Sequence, residues 1–151
     1  MTPNQKIGII GSGFIVNDCH LPAYRKLGLD ITAIASRTNA NASKTAKLHN
    51  IPKVHENIEA LLEDSSIEIL DIAVPPQHQP DLILAACKRG TVKGILAQKP
   101  LALDYATARD LVEACKVKGI ILAVNQNMRF DPSVVEACLL YTSPSPRDRV
   151  Q

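Results

Sequence analysis

The chain has 151 residues, of which 46% are hydrophobic and 21% charged, which fits one folded domain and excludes disorder for most of its length. A net charge of +2 gives no electrostatic signature of a nucleic-acid or acidic-membrane partner, and no apolar run approaches the roughly 18 residues of a spanning helix. The four cysteines have no metal-ligand spacing, so we expect no metal site and a reducing, cytoplasmic location.

Short apolar, β-branched runs alternate with helix-forming stretches along the chain. The predicted strands are 6–10, 31–35, 69–74, 94–97 and 120–124, with a weaker strand at 53–54. The predicted helices are 42–49, 58–62, 80–88 and 105–118, the last with Asp104 as its N-cap and Gly119 just past its end. This alternation predicts a doubly wound α/β domain with a parallel sheet and right-handed crossovers.

A glycine loop, Gly-Ser-Gly-Phe-Ile-Val at 11–16, directly follows the first predicted strand and opens a helix. This is the position of the dinucleotide-binding fingerprint G-x-G-x-x-G/A of a Rossmann fold, although Val16 takes the third glycine position. Gly11 would allow the tight turn, and Gly13 would let backbone N–H groups approach a pyrophosphate. We predict cofactor contacts from Gly11, Gly13, Phe14 and Ile15. The alternative is a tight strand–helix turn without a ligand.

The second strand ends in Ser36, Arg37 and Thr38, without the carboxylate that often binds the ribose 2′-OH of NAD. Arg37 can pair with a 2′-phosphate, and the hydroxyls of Ser36 and Thr38 can donate hydrogen bonds to it. The sequence therefore predicts NADP, with NAD as the other option. The alternative is that Arg37 faces solvent or stacks on adenine, which fits either cofactor.

Further candidates follow the next strand of the chain, at Val74, Pro75, Pro76 and His78. Ligands of open α/β sheets bind beyond the carboxyl ends of the strands, and the two prolines set a stiff, extended turn there. We predict cofactor contacts from all four residues. For His78, a surface position at a helix start is the equally weighted alternative.

Lys99 follows the strand 94–97 and precedes Pro100, so it projects towards the same edge of the sheet. A lysine there can polarise a carbonyl or hydroxyl, or hold a substrate oxygen by its charge. An ordinary surface lysine is the alternative.

Together, these motifs resemble the Gfo/Idh/MocA family, which includes glucose–fructose oxidoreductase and inositol dehydrogenases. The resemblance covers residues 6 to about 135 and rests on the ordered segments 11–13, 20–23 (His-Leu-Pro-Ala), 75–76, 98–102 (Gln-Lys-Pro-Leu-Ala) and 125–132 (Asn-Gln-Asn-Met-Arg-Phe-Asp-Pro). It implies hydride transfer between a nicotinamide cofactor and a sugar, polyol or similar alcohol or ketone, with Lys99 as the catalytic lysine.

The chain departs from the family pattern at two positions. The usual Glu-Lys-Pro reads Gln98-Lys99-Pro100, so the charge of the glutamate is lost. The His-Asn pair that often lies near the nicotinamide reads Gln126-Asn127, which can donate hydrogen bonds but cannot relay a proton as histidine would. The resemblance places Gln98 and Asn127 among the cofactor-binding residues.

The resemblance also implies a second, mainly antiparallel domain that carries the substrate pocket and an Asp/His pair. We expect residues 1–124 to form the dinucleotide-binding domain and 125–137 to begin the connection to that missing domain. The parent would act on a small molecule and form homo-oligomers. This chain alone would be nearly inactive, because half of the substrate cradle is absent.

Residues 138–151 have no hydrophobic period and contain two prolines, which is typical of a disordered tail. Residues 138–148 (Cys-Leu-Leu-Tyr-Thr-Ser-Pro-Ser-Pro-Arg-Asp) also resemble the translation of a common transposase sequencing adaptor. We therefore expect native sequence to stop near Ala137 and the remainder to be read-through.

Two functions of other classes remain open at this point. One is a non-catalytic NAD(P)-sensing protein, against which Lys99 argues mildly. The other is a methyltransferase-like binder of S-adenosylmethionine, which the lack of an acidic residue at the end of the second strand disfavours.

Overall fold

A computed structural model describes residues 5–142, in which strands and helices alternate from the first strand onward. The strands are β1 (Ile7–Ile10), β2 (Ile31–Ala35), β3 (Lys53–Val54), β4 (Ile69–Ile72), β5 (Gly94–Gln98) and β6 (Ile121–Asn125). The helices are α1 (Leu21–Lys26), α2 (Asn39–His49), α3 (Ile58–Leu62), α4 (Gln79–Arg89), α5 (Tyr105–Val117) and α6 (Pro132–Thr142). A π-helical segment, Ile15–His20, precedes α1, and a 3₁₀ turn, Asn127–Phe130, follows β6.

The strands form one six-stranded parallel sheet in the order β3-β2-β1-β4-β5-β6, which confirms the predicted doubly wound α/β fold. The chain moves outward from β1 to β3 in one direction and from β4 to β6 in the other. The connections on the two sides of the β1/β4 pair therefore diverge, and a crevice opens beyond the carboxyl ends of these two strands.

Apolar side chains fill both faces of the sheet, because parallel strands are buried on both sides. Ile9 and Ile34 belong to the cluster that packs against the π-helical segment, α1 and α2, whereas Ile10 and Ala35 belong to the cluster beneath α3, α4 and α5. Val16, which occupies the third glycine position of the loop, is fully buried in the first cluster. Each such fully buried aliphatic side chain contributes about 1.5–3 kcal/mol.

The bounds of the elements differ from the predicted ones by a few residues. β4 stops at Ile72 rather than at 74, ahead of two prolines that lack the N–H a central strand needs. β5 and β6 each extend to an amide residue, Gln98 and Asn125. The carboxylate of Asp104 caps α5 by accepting a hydrogen bond from the N–H of Thr107 at 2.8 Å, as the sequence predicted.

At the end of the described chain, the structure differs more from the prediction. α6 continues through residues 138–142, so the prediction of an irregular tail beginning at Cys138 is wrong for these five residues. The first proline of the tail stands at position 144, and nothing before it breaks the helix. The predicted tail residues 143–151 lie outside the described part of the chain, and their non-native origin stays a prediction.

Two of the cysteines, although far apart in the sequence, are neighbours in the structure. The Sγ atoms of Cys87 on α4 and Cys115 on α5 lie 3.5 Å apart in the core. Burial, with a smaller contribution from Cys87, raises the pKa of the Cys115 thiol to about 12. The pair therefore behaves as packed, unreactive core side chains at neutral pH.

No helix within residues 5–142 combines the length and the apolar character needed to cross a membrane.

A polar cluster around Asp64 fixes the edge strand β3 to the loop after α3. One carboxylate oxygen, Oδ2, accepts hydrogen bonds from Lys53 Nζ at 2.7 Å and His55 Nε2 at 3.0 Å. The other, Oδ1, accepts from the N–H of Ser66 at 3.0 Å and from its hydroxyl at 2.6 Å. These bonds, led by that of Lys53, hold the pKa of Asp64 well below its usual range.

We predict that Asp64→Asn lowers the free energy of unfolding at pH 7 by about 2 kcal/mol, because charge-assisted hydrogen bonds are lost. The folded-state pKa is depressed, so this stabilisation is present above the ordinary Asp pKa of 3.8 and is lost as the pH falls below it. Urea unfolding at pH 7 and pH 3 measures both effects. The matched control is Asp110→Asn, whose carboxylate pairs with no residue of 5–142 other than Arg109, at the exposed surface. Equal stability of Asp64→Asn and wild type at pH 7 would contradict the prediction.

Candidate functional site

A cleft of about 480 Å³ lies beyond the carboxyl ends of β1, β2 and β4, where the fold places its crevice. This volume is in the range of pockets that hold a cofactor. Eight of the predicted cofactor-binding residues line it: Gly11, Gly13, Ser36, Arg37, Thr38, Val74, Pro75 and His78. The residues that the sequence predicted at the ends of β1, β2 and β4 therefore form three walls of one cleft.

The glycine loop passes so close to β4 that only glycine fits at position 11. A Cβ atom at Gly11 would lie 2.3 Å from the carbonyl oxygen of Ala73, and the φ angle of +125° disfavours any side chain. The N–H of Gly11 donates to the carbonyl of Ala35 at 2.8 Å, which fixes the turn to β2 as well. The loop is therefore held against both neighbours of β1.

Gly13 presents the opposite situation. A Cβ atom built there meets no heavy atom within 4 Å, so the backbone at this position lies open on the cleft. The side-chain amide of Asn17 donates to the carbonyls of Ser12 (3.0 Å) and Gly13 (2.9 Å) and so holds the loop from the helical side. An open, rigid backbone of this kind suits the close approach of a phosphate group.

The wall at the end of β2 carries positive charge and hydroxyl groups. Ser12 Oγ donates to Ser36 Oγ at 2.9 Å, which joins the glycine loop to this wall. Arg37 is exposed and makes no hydrogen bond or ion pair with any of the residues 5–142, so its guanidinium is uncommitted. Thr38 and Asn41 lie beside it in the lining. The arrangement can hold an anionic group.

The third wall is the turn from β4 into α4. Its backbone is closed by a hydrogen bond from the N–H of His78 to the carbonyl of Pro75 at 3.0 Å. His78 immediately precedes α4 and is exposed, as its surface interpretation predicts, and it also lines the cleft, so its contact with a cofactor stays a prediction. Asp81, in the first turn of α4, is a lining residue that the sequence analysis did not select.

The structure leaves some predicted site residues outside this lining: Phe14, Ile15, Pro76, Gln98, Lys99 and Asn127. Phe14 and Ile15 are exposed at the start of the π-helical segment. Asn127 is exposed in the 3₁₀ turn after β6. Their predicted roles stay predictions.

Lys99 follows the last residue of β5 and is exposed, and the Lys99–Pro100 peptide bond is cis. Within the described range its ammonium forms no hydrogen bond or ion pair. The buried Gln79 fixes the backbone around it. Gln79 Nε2 donates to the carbonyls of Gln98 (3.0 Å) and Pro100 (2.9 Å), and the N–H of Gln98 donates to Gln79 Oε1 at 2.5 Å. The segment is rigid, while the lysine side chain stays available.

A buried polar network beside this segment was missed by the sequence analysis. Oδ2 of Asp71, in the middle of β4, accepts hydrogen bonds from His20 Nδ1 at 2.6 Å and from the hydroxyl of Tyr24 at 2.8 Å. Burial, followed by the nearby charge of Asp71, raises the pKa of Tyr24. A single carboxylate inside the apolar run Ile69–Ile72 was the available signal, because a buried carboxylate requires partners.

The family model described as "Oxidoreductase family, NAD-binding Rossmann fold" (GFO_IDH_MocA) matches residues 5–126. Among curated relatives, the trans-1,2-dihydrobenzene-1,2-diol dehydrogenase of Xenopus laevis is 32% identical over 130 residues, which cover 84% of this chain and 38% of the relative. The chain thus spans less than two fifths of the length of such relatives.

Solved structures are similar to this chain as well. The 3-ketoreductase KijD10 from Actinomadura kijaniata, in complex with NADP and TDP-benzene, superimposes with a TM-score of 0.82 and 27% identity over 92% of this chain and 42% of that one. A levoglucosan dehydrogenase in complex with NADH and levoglucosan gives a TM-score of 0.82 and 26% identity over 92% of this chain and 39% of the other.

The glycine turn, the sheet order and the match over residues 5–126 agree, and the chain belongs to the Gfo/Idh/MocA oxidoreductase family, of which it contains the NAD-binding Rossmann domain.

Proposed function

We propose that this chain is the cofactor-binding part of an NADP-dependent oxidoreductase that transfers a hydride between nicotinamide and a sugar, a polyol or a similar alcohol or ketone. The observation that carries the proposal is the glycine loop, in which Gly11 is sterically required and the backbone at Gly13 lies open on the cleft. The relatives are named as a diol dehydrogenase, a levoglucosan dehydrogenase and a 3-ketoreductase, and these activities belong to the same reaction class.

The choice of NADP rests on the wall at the end of β2. Arg37 is uncommitted, and Ser36 and Thr38 supply hydroxyl donors beside it. A dianionic 2′-phosphate forms strong, charge-assisted hydrogen bonds with such a set, whereas the 2′-OH of NAD gains little from a guanidinium. NADP and NADH both occur among the structural neighbours, so the proposal of NADP for this chain rests on the side chains of this wall.

Lys99 is the proposed catalytic residue. The nicotinamide cofactor, when bound, supplies the hydride donor or acceptor. An ammonium at the end of β5 can donate a hydrogen bond to the substrate oxygen and stabilise the negative charge that develops on it. Two features support this role: the backbone around Lys99 is clamped by Gln79, and the ammonium is not used in any contact within residues 5–142.

The remainder of the machinery would lie in a second domain. We propose that 1–124 form the dinucleotide-binding domain, that 125–137 begin the connection, and that 138–151 are non-native. Phe14, Ile15, Pro76, Gln98 and Asn127 keep their proposed cofactor-binding roles. Homo-oligomerisation and a cytoplasmic location complete the proposal, the latter supported by Cys19, Cys87 and Cys115, which form no disulfide.

We predict that the chain binds NADPH more tightly than NADH, and that Arg37→Ala raises the Kd for NADPH about tenfold or more because one charged contact to the 2′-phosphate is lost. The Kd for NADH should change less than about twofold. Fluorescence titration of both nucleotides against each variant measures this. Arg109→Ala, at an exposed position on α5, is the matched control for loss of positive charge. A preference for NADH, or an equal loss for both nucleotides, would contradict the NADP assignment.

In the protein with its substrate domain, we predict that Lys99→Met lowers kcat about a hundredfold or more, since stabilisation of the developing oxygen charge is removed. The Kd for NADPH should stay within about twofold of the wild-type value. Lys116→Met, at an exposed site on α5, controls for the loss of a surface lysine. Unchanged turnover would refute the catalytic role, and absence of turnover in the wild type would favour nucleotide sensing.

A further inference from the structure

His20 is a buried histidine that contacts three strands of the sheet. Its side chain is 7% exposed, and that of its partner Asp71 is 1% exposed. Nδ1 contacts Asp71 of β4, whereas Nε2 lies 3.2 Å from the amide nitrogen of Gln98 on β5 and 3.1 Å from that of Asn125 on β6. The ring therefore links the middle of the sheet to the ends of its last two strands.

The direction of these hydrogen bonds follows from the groups available. The carboxylate of Asp71 can only accept, so Nδ1 of His20 donates to it, alongside the hydroxyl of Tyr24. The other ring nitrogen, Nε2, then offers a lone pair to the amide groups of Gln98 and Asn125. Asn125 Nδ2 also approaches Gln98 Oε1 at 3.5 Å, which orients the Gln98 amide with its NH₂ group towards the histidine.

Gln98 is held from two sides. Its backbone is clamped by Gln79 at the start of α4, as described for the candidate site. Its side chain is held by His20 and by Asn125, its register partner in the sheet. Because Lys99 is the next residue, the contact of His20 with Gln98 also helps to hold the backbone from which the Lys99 side chain extends.

We propose that His20 is a positioning residue of the oxidoreductase site: it fixes Gln98, and through Gln98 the Lys99 segment. The inference rests on the proposed function for its catalytic meaning. The contact between His20 and Gln98 can be tested independently of any cofactor.

The charged and titratable groups that face His20 are Asp71 from β4 and Tyr24 from α1, whereas β5 and β6 present the neutral amides of Gln98 and Asn125. A glutamate at position 98 would only accept hydrogen bonds and would face the lone pair of Nε2. It can satisfy the contact only when the imidazole carries a second proton. Gln98→Glu should therefore favour the charged form of His20.

The first test is a histidine titration by ¹⁵N NMR on the 151-residue chain. Wild type is expected to show His20 protonated at Nδ1 and unprotonated at Nε2 in its neutral form. In Gln98→Glu, the midpoint of the His20 titration should move up by about one pH unit or more. Gln77→Glu, which adds the same charge at an exposed position before α4, should leave the midpoint in place. An unshifted midpoint in Gln98→Glu, or a neutral His20 protonated at Nε2, would overturn the proposal.

The second test is a double-mutant cycle on NADPH affinity with His20→Leu, Gln98→Met and the double variant. Each single substitution should raise the Kd about fivefold, because Gln98 is itself a proposed cofactor contact that His20 orients, and the double variant should be no weaker than either single one. A wild-type Kd at His20→Leu, or fully additive losses, would show that His20 does not act through Gln98. No NADPH binding by wild type would instead refute the proposed function, while the titration would still decide the His20 contact.

Discussion

The site depends on the close passage of β1 and β4 at Gly11. A side chain at this position would collide with the Ala73 carbonyl, so the two strands can end side by side only because residue 11 has no Cβ atom. That passage places the glycine loop over the point where the sheet order reverses, and it opens the cleft between the loop, the end of β2 and the start of α4. The chemistry of the cleft follows from three short segments at strand ends.

Asp71 provides a second constraint on the same edge of the sheet. A carboxylate in the middle of a buried strand is costly unless it is hydrogen-bonded, and it receives bonds from both His20 and Tyr24. His20 in turn contacts the ends of β5 and β6. Gln98, the last residue of β5, directly precedes Lys99. The glycine loop at the cleft is thus positioned by a steric constraint, and the Lys99 segment by hydrogen bonds.

The sequence allowed the fold and most of the cleft to be predicted, because buried parallel strands are apolar throughout and glycine, arginine and proline at strand ends carry local signals. It did not allow the His20 network to be predicted, since its members come from four distant segments and only the isolated Asp71 hinted at it. The wrong expectation at residues 138–142 arose because loss of hydrophobic period was taken as loss of helix, although the helix-breaking prolines come later. Asp81 and Asn41 were not predicted, because whether a residue in the first turn of a helix lines the cleft depends on the direction in which that helix begins.

The most direct measurement for the central claim is a crystal structure of the chain with NADP⁺. We expect the pyrophosphate over the open backbone at Gly13 and the 2′-phosphate against the guanidinium of Arg37 and the hydroxyls of Ser36 and Thr38. A dinucleotide bound elsewhere, or a 2′-phosphate directed to solvent away from Arg37, would contradict it.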